Sequence, residues 1–189
     1  MTNRVLWVGL LASALVTGTP QVSAASAEKV DCNRLSFSYG PAKDAQWTEC
    51  YRFNQSEAPS DGAEGLKAEF QDMLADIGSH VVHINAGKAG QNTYFRKESI
   101  RSMVEDFDEL DKTEGWNYED DFGDYELIRF RAMLWKVPAD CVGFLKYGAA
   151  HISPSGGSHG ASSYMVGDDC WRDGAPDRAK IEASLSAIR

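Results

Sequence analysis

Four cysteines constrain the fold of this 189-residue chain more than any other feature of its sequence. An even number of cysteines in an exported chain is typical of paired disulfides, and four cysteines allow three connectivities. Each pair of sequence neighbours flanks segments that we predict to be adjacent strands, so we expect the bonds Cys32–Cys50 and Cys141–Cys170. No two of the four stand two to four residues apart, which disfavours a structural zinc site.

The N-terminal sequence predicts export. The run from Val5 to Val16 is almost wholly apolar, has the length of a signal-peptide core and is too short to span a bilayer. Small residues follow it, and we expect cleavage after Ala24 or Ala27. The predicted organisation is a cleavable signal peptide (1–24) and a single globular domain (25–189), periplasmic or secreted, with no membrane span after cleavage.

Net charge narrows the class of partner. The whole chain carries a formal charge of −9, and it contains no run of lysines or arginines. Such a chain repels nucleic acid and anionic lipid surfaces, so we expect no nucleic-acid partner. The partner classes that remain are an unknown protein or a small ligand.

The pattern of apolar residues predicts an α+β fold. Alternation favours a hairpin from Leu35 to Phe53 and a second from Tyr125 to Tyr147, with the turn of the second at Pro138-Ala139-Asp140. Further strands are expected over 80–86 and 163–167, and a surface loop over 148–162. Helical spacing favours helices over 63–77, from Lys97 to Leu110, and after Pro176. We therefore expect a mostly antiparallel sheet built from hairpins, with about three helices packed on it and two disulfides.

One short motif resembles a catalytic signature. Residues Gly156 to Gly160 fit the G-x-S-x-G pattern, in which glycines allow a strained turn that exposes a serine, here Ser158, with His159 beside it. The context is unfavourable, because a polar loop precedes the motif and a strand is expected after it. Ser158 and His159 are nevertheless the candidate catalytic residues of this chain.

An acidic segment between Glu105 and Glu126 suggests a cation site. Calcium prefers such oxygen-rich loops, but the EF-hand register fails, because counting from Asp106 places an aspartate where glycine is required. Unpatterned acidic runs are usually solvated faces. Calcium is the cofactor that this segment suggests, and its candidate ligands are Asp111, Asp120, Asp121 and Asp124.

The histidines predict no shared metal site. His80 and His83 are three residues apart on a predicted strand, so they should point to opposite faces of a sheet, and only one of them could join a site on either side. We interpret them as structural residues. The sequence as a whole favours a non-enzymatic exported binding domain, and the alternative is a small serine hydrolase that uses Ser158.

Overall fold

The computed structural model describes residues 27–56, 67–90, 93–152 and 158–189. The strands of this part are β1 (Glu28–Lys29), β2 (Trp47–Ser56), β3 (Lys67–Asp76), β4 (His80–Ala89), β5 (Leu110–Phe122), β6 (Tyr125–Leu134), β7 (Val137–Tyr147), β8 (Ala150–Ile152), β9 (Ser158–Ala161) and β10 (Ser163–Trp171). Eight of them form one antiparallel sheet in the order β1-β2-β3-β4-β10-β7-β6-β5, and the two short strands β8 and β9 pair separately. The helices are α1 (Ile100–Glu105) and α2 (Arg178–Ser186), and two 3-10 turns cover Cys32–Arg34 and Gly40–Asp44.

The sheet joins two meanders through its last strand. Strands β1 to β4 follow one another, as do β5 to β7, and β10 lies between β4 and β7 with antiparallel pairing to both. Because β10 is central, each of its side chains lies on one of two packed faces, and its backbone is hydrogen-bonded on both sides. This strand is therefore the part of the sheet best suited to hold a side chain in a fixed position.

The predicted α+β class with about three helices is wrong. In the described residues the fold is an antiparallel sheet with two helices, of six and nine residues. The helix expected over 63–77 is strand β3 from residue 67 onward, and residues 57–66 lie outside the described part. Both faces of β3 are packed, so apolar residues occur on both, and their spacing imitates a helix although pairing with β2 and β4 determines the structure.

The helix expected from Lys97 to Leu110 is much shorter than predicted. It spans Ile100–Glu105, begins at the N-cap Ser99, and is followed by a turn that leads into strand β5. The expected acidic loop is thus an edge strand paired with β6 alone. Exposed charges on an edge strand oppose pairing with another chain, which gives the acidic segment a structural reason.

The two predicted hairpins have different outcomes. The first is wrong, because residues 35–39 form no strand and β2 pairs with β1 and β3 instead. The second is confirmed as β6–β7, but its turn consists of Trp135 and Lys136, both with positive φ. The segment Pro138–Asp140, expected as the turn, belongs to β7. The last predicted helix is confirmed as α2, which buries Ile181 and Leu185.

Both predicted disulfides are present. Cys141 and Cys170 are directly opposite each other on β7 and β10, and their bond is buried in the core. Cys32 lies in a 3-10 turn and bonds to Cys50 of β2, which ties the N-terminal segment to the sheet. The chain is therefore a disulfide-stabilised β-rich domain. In the part of the chain described, no helix has the length and apolar character needed to cross a membrane.

The core consists of two layers, one on each face of the sheet. Helix α1 covers one face, where the buried residues include Val81, Ile128, Val166 and both cysteines of the central disulfide. Helix α2 covers the other face, with Val82, Ile84, Val142 and Phe144. Val81 and Val82 are consecutive but lie in different layers, because successive side chains of a strand point to opposite faces of the sheet.

Candidate functional site

Four ionisable side chains meet on the α1 face of the sheet. His83 of β4 and Asp168 of β10 are direct partners across the two strands. Asp72 comes from β3, and Glu109 comes from the turn between α1 and β5. His83, Glu109 and Asp168 are all buried. A buried group of one imidazole and several carboxyls needs either protons or a cation to balance its charge.

His83 is held by hydrogen bonds at both ring nitrogens. Its Nε2 lies 2.8 Å from Oδ2 of Asp72, and its Nδ1 contacts Oε1 of Glu109. Burial opposes the charged form of the ring, but the hydrogen bonds to Asp72 and Glu109 outweigh burial and raise the pKa of His83 to about 10. Without a metal ion the raised pKa favours the imidazolium form of the ring, whose two N–H groups then donate to Asp72 and Glu109.

Asp168 has no such partner. Its side chain is fully buried, and among the described residues no donor reaches its Oδ2. Its Oδ1 lies 3.3 Å from Sγ of Cys170, but that sulfur belongs to a disulfide and has no proton to donate. Burial, followed by the charge of Glu109, raises the pKa of Asp168 well above its ordinary value. A carboxyl in this position is stable only when it is protonated or neutralised by a cation.

The geometry of the cluster suits a metal ion. One ligand atom from each of His83, Glu109 and Asp168 lies within 4.8 Å of the other two. Two ligands at about 2.1 Å from a tetrahedral zinc ion lie about 3.4 Å apart, so a zinc site here requires side-chain rotations that bring the three atoms closer together. A nitrogen and two carboxylate oxygens form a ligand set that borderline divalent metals accept.

The surroundings of His83 resemble the outer shell of a metal-bound histidine. In such sites the ring nitrogen that is not bound to metal donates to a carboxylate, which is itself held by further hydrogen bonds. Here Nε2 of His83 contacts Asp72, Asn85 donates to the same oxygen at 3.1 Å, and the Tyr164 hydroxyl donates to Asn85 at 2.8 Å. This series of hydrogen bonds fixes the orientation of the His83 ring and leaves its Nδ1 facing Glu109.

A cavity of about 540 Å³ opens beside the cluster. The ring of Phe107 lies over His83 with its centroid 4.1 Å away and covers one side of the imidazole. Exposed carboxylates of Glu98, Asp106 and Asp108 line the same cavity. Their negative potential attracts cations and disfavours anionic ligands at this entrance.

The candidate catalytic residues fall in a region that is described only in part. Ser158 and His159 begin strand β9, and Ser158 pairs with Ile152 of β8. Their side chains, like that of His151, lie outside the described residues, as do residues 153–157. The serine-hydrolase alternative stays a prediction.

The candidate calcium ligands are distributed along the edge strand. Asp111 lies opposite Met133 near one end of β5, and Phe122 lies opposite Tyr125 at the other end, so eight residues of β6, about 26 Å, span the distance. The backbone carbonyls of Asp120 and Asp121 accept hydrogen bonds from Arg178, and the Asp124 carboxylate lies 3.5 Å from the Lys146 ammonium. The described structure therefore separates Asp111 from the other three.

Sequence reasoning did not find the cluster around His83. His80 and His83 do point to opposite faces, and His80 contacts Tyr39 and stacks on Trp171 on the α2 side. The partners of His83 are distant in sequence, so no local spacing reveals them. The one available signal was the pair Asp168-Asp169 inside an otherwise apolar strand, since buried carboxyls without adjacent cations often mark functional sites.

Comparison with known proteins finds no family model, no curated protein and no solved structure that matches the chain.

Proposed function

We propose that the protein is an exported, non-enzymatic binding domain that holds one divalent transition-metal ion, of the zinc or manganese type, through His83, Glu109 and Asp168. The observation that carries this proposal is Asp168, a fully buried carboxyl that faces an imidazole and a second carboxyl and has no hydrogen-bond donor among the described residues. A bound metal ion would supply the positive charge that balances this buried carboxylate.

Charge balance supports a divalent ion. Without metal, the cluster avoids an unpaired buried charge only by keeping one proton on Asp168 and an extra proton on His83. A divalent cation replaces both protons at the same total charge, because a neutral histidine and an ionised Asp168 then coordinate it. The exchange therefore changes the occupant of the site without adding net charge to the core.

The ligand set favours transition metals over calcium. Calcium takes six to eight oxygen ligands, whereas the buried cluster offers one ring nitrogen and a few carboxylate oxygens. Zinc accepts nitrogen and oxygen together, with three protein ligands and one open position in many sites. The cavity beside the cluster leaves space for a water or a small ligand at that position.

The proposal of export is supported by the two disulfides, since such bonds form and persist in oxidising compartments. It agrees with the apolar N-terminal run, which lies outside the described residues.

The test uses metal-free protein, prepared with a chelator, in calorimetric titrations with zinc, manganese and calcium chlorides. We expect saturable binding of one zinc or manganese ion per chain and much weaker binding of calcium. Asp168→Asn should weaken the binding by about 100-fold or more, because it removes a ligand charge. Asp169→Asn is the matched control, since it changes the next residue of β10, also buried, and should leave the affinity within about twofold.

Two results would overturn the proposal. One is the absence of saturable zinc or manganese binding by the folded wild-type protein. The other is an equal loss of affinity in both variants while each retains the circular dichroism spectrum of the wild type. In either case the cluster is a buried ion-pair network without a ligand.

A further inference from the structure

A second cavity, on the α2 face of the sheet, has the opposite charge. It has a volume of about 750 Å³, and the described residues that line it include five cationic side chains and one acidic side chain, that of Glu69. The cationic residues are Arg34, Arg52, Lys88, Lys146 and Arg189. The chain as a whole carries a net charge of −9, so this concentration of positive charge opposes the overall balance.

Alternation along the strands directs these cations to one side. On β4, Lys88 follows Val82, Ile84 and Ala86 on the face covered by α2, and the next strand but one, β7, places Lys146 in the same phase as Phe144. Arg52 is in phase with the buried Cys50 of β2. Three separate strands therefore bring a cation into one concave space, while residues 34–36 and 188–189 close its side.

Most of this positive charge is not neutralised inside the cavity. Among the described residues of the lining, the one acidic side chain is Glu69, whose Oε1 accepts hydrogen bonds from Arg52 and from Gln71 and whose charge also acts on Lys88. Lys146 lies 3.5 Å from the exposed Asp124 and above the Tyr125 ring, and Arg34 lies 3.8 Å from the exposed Glu28. Within the described residues, the side chains of Lys88 and Arg189 form no ion pair. Exposed ion pairs of this kind contribute little free energy, so a bound anion can replace Asp124 or Glu28 as the partner of these cations at small cost.

The remaining lining adds hydrogen-bonding groups and an aromatic wall. Ser162 and Ser163 contribute hydroxyl groups, and the Tyr125 ring forms part of the surface beside Lys146. The volume is that of a small-molecule site, which typically has 300–1,000 Å³. Guanidinium and ammonium groups that converge from several elements recognise carboxylate and phosphate oxygens.

We infer that this cavity binds a small organic polyanion, a molecule with two or more carboxylate or phosphate groups. The site is distinct from the metal cluster, which lies on the other face of the sheet and has an acidic entrance. The two faces thus have ligand preferences of opposite sign, a cation on the α1 face and an anion on the α2 face. An anion would also stabilise the fold, because it would join β2, β4 and β7 to the segments before β2 and after α2.

The test is calorimetric titration of the metal-free protein with citrate and with pyrophosphate at constant ionic strength. Metal-free protein is required because both probes chelate metal ions. We expect one saturable site, with citrate preferred if the natural ligand is a polycarboxylate and pyrophosphate if it is a phosphate ester. The double variant Lys88→Ala/Lys146→Ala should weaken the preferred probe by about tenfold or more.

The matched control is Lys43→Ala, which removes a positive charge from an exposed position in a 3-10 turn that does not line the cavity. It should change the affinity by less than about twofold. The inference is overturned if neither probe binds saturably to the folded protein. It is also overturned if Lys43→Ala weakens binding as much as the double variant does, because the interaction then depends on net charge and not on the cavity.

Discussion

Asp168 and Asp169 are consecutive residues of β10 whose buried carboxyl groups face opposite sides of the sheet. Asp168 faces His83 and Glu109, while Asp169 lies 3.9 Å from Nε2 of His80 on the side of α2. Burial raises the pKa of both carboxyls, that of Asp169 to about 7. Two carboxyls with similar burial thus differ in their neighbours, and only Asp168 has an imidazole and a carboxylate within coordination range.

The outer shell of the proposed metal site can be tested at Asp72. Its carboxylate contacts Nε2 of His83 and would orient the ring for a metal at Nδ1. Asp72→Asn keeps the size of the side chain but removes its charge, so zinc affinity should fall by about 10- to 100-fold in calorimetric titration. Asp111→Asn, which changes an exposed carboxylate on β5, is the control and should have no effect. Equal affinities of wild type and Asp72→Asn would remove Asp72 from the site.

The central disulfide should contribute a large share of the stability. Cys141 and Cys170 are 29 residues apart and join neighbouring strands in the core. Closing a loop of that length restricts the unfolded chain by about 3–4 kcal/mol in the chain-entropy model. The double variant Cys141→Ala/Cys170→Ala should lose a similar amount in urea denaturation. A loss below about 1 kcal/mol would show that β7 and β10 hold together without the bond.

An ion pair at the end of β3 should make stability depend on acid pH. Hydrogen bonds from Arg172, the nearer at 2.7 Å, hold the pKa of Asp76 below its ordinary value. A lowered pKa in the folded state gives a contribution that is complete above the pKa of the unfolded chain, about 3.9, and is lost as pH falls through the folded value.

Replacing that carboxylate tests the ion pair directly. Asp76→Asn should reduce the free energy of unfolding at pH 7 by about 1–3 kcal/mol, because it removes the carboxylate charge that accepts hydrogen bonds from the partly buried Arg172. The difference from wild type should begin to shrink below about pH 4, where the carboxyl of the unfolded chain becomes protonated, and should vanish as pH falls through the lower pKa of the folded Asp76. Urea denaturation at pH 7, 5 and 3 measures it. A difference that stays constant over this range would contradict an ionic role for Asp76.

The turn of the β6–β7 hairpin offers a stabilising substitution. Lys136 has a φ of 72° and follows Trp135 at 48°, so both central residues adopt the left-handed conformation. Two-residue turns of this type favour glycine, because it has no Cβ to clash in that region. Lys136→Gly should therefore raise the unfolding free energy by about 0.5–1 kcal/mol and raise the melting temperature. A lower melting temperature would mean that the lysine side chain makes a stabilising contact.

Sequence patterns predicted those parts of the fold that depend on local structure. The β6–β7 hairpin, helix α2 and both disulfides were predictable, because turns, caps and cysteine pairing leave signals in short stretches of chain. Strand β3 was not, because both of its faces are packed and Phe70, Met73 and Leu74 fit helical spacing as well as a strand. The sheet contacts that settle this choice are long-range and leave no local pattern.

The candidate site could not be predicted for a related reason. His83 and Asp168 are 85 residues apart in the sequence, and they meet because β10 inserts between β4 and β7. Glu109 was assigned to the end of a helix, and Asp72 to the middle of another, so neither was expected near a strand. Most of the acidic run is the edge strand β5, but Glu109 precedes that strand and is buried, and no local pattern distinguishes it from its exposed neighbours.

Zinc K-edge X-ray absorption of the protein loaded with one equivalent of zinc would identify the atoms that bind the metal. We expect nitrogen and oxygen ligands at about 2.0–2.1 Å, with multiple scattering from one imidazole and no sulfur at about 2.3 Å. The imidazole signal should be lost in His83→Gln and kept in His80→Gln, since these histidines face opposite sides of β4. A spectrum without imidazole in the wild type, or one that is unchanged in His83→Gln, would contradict the proposed site.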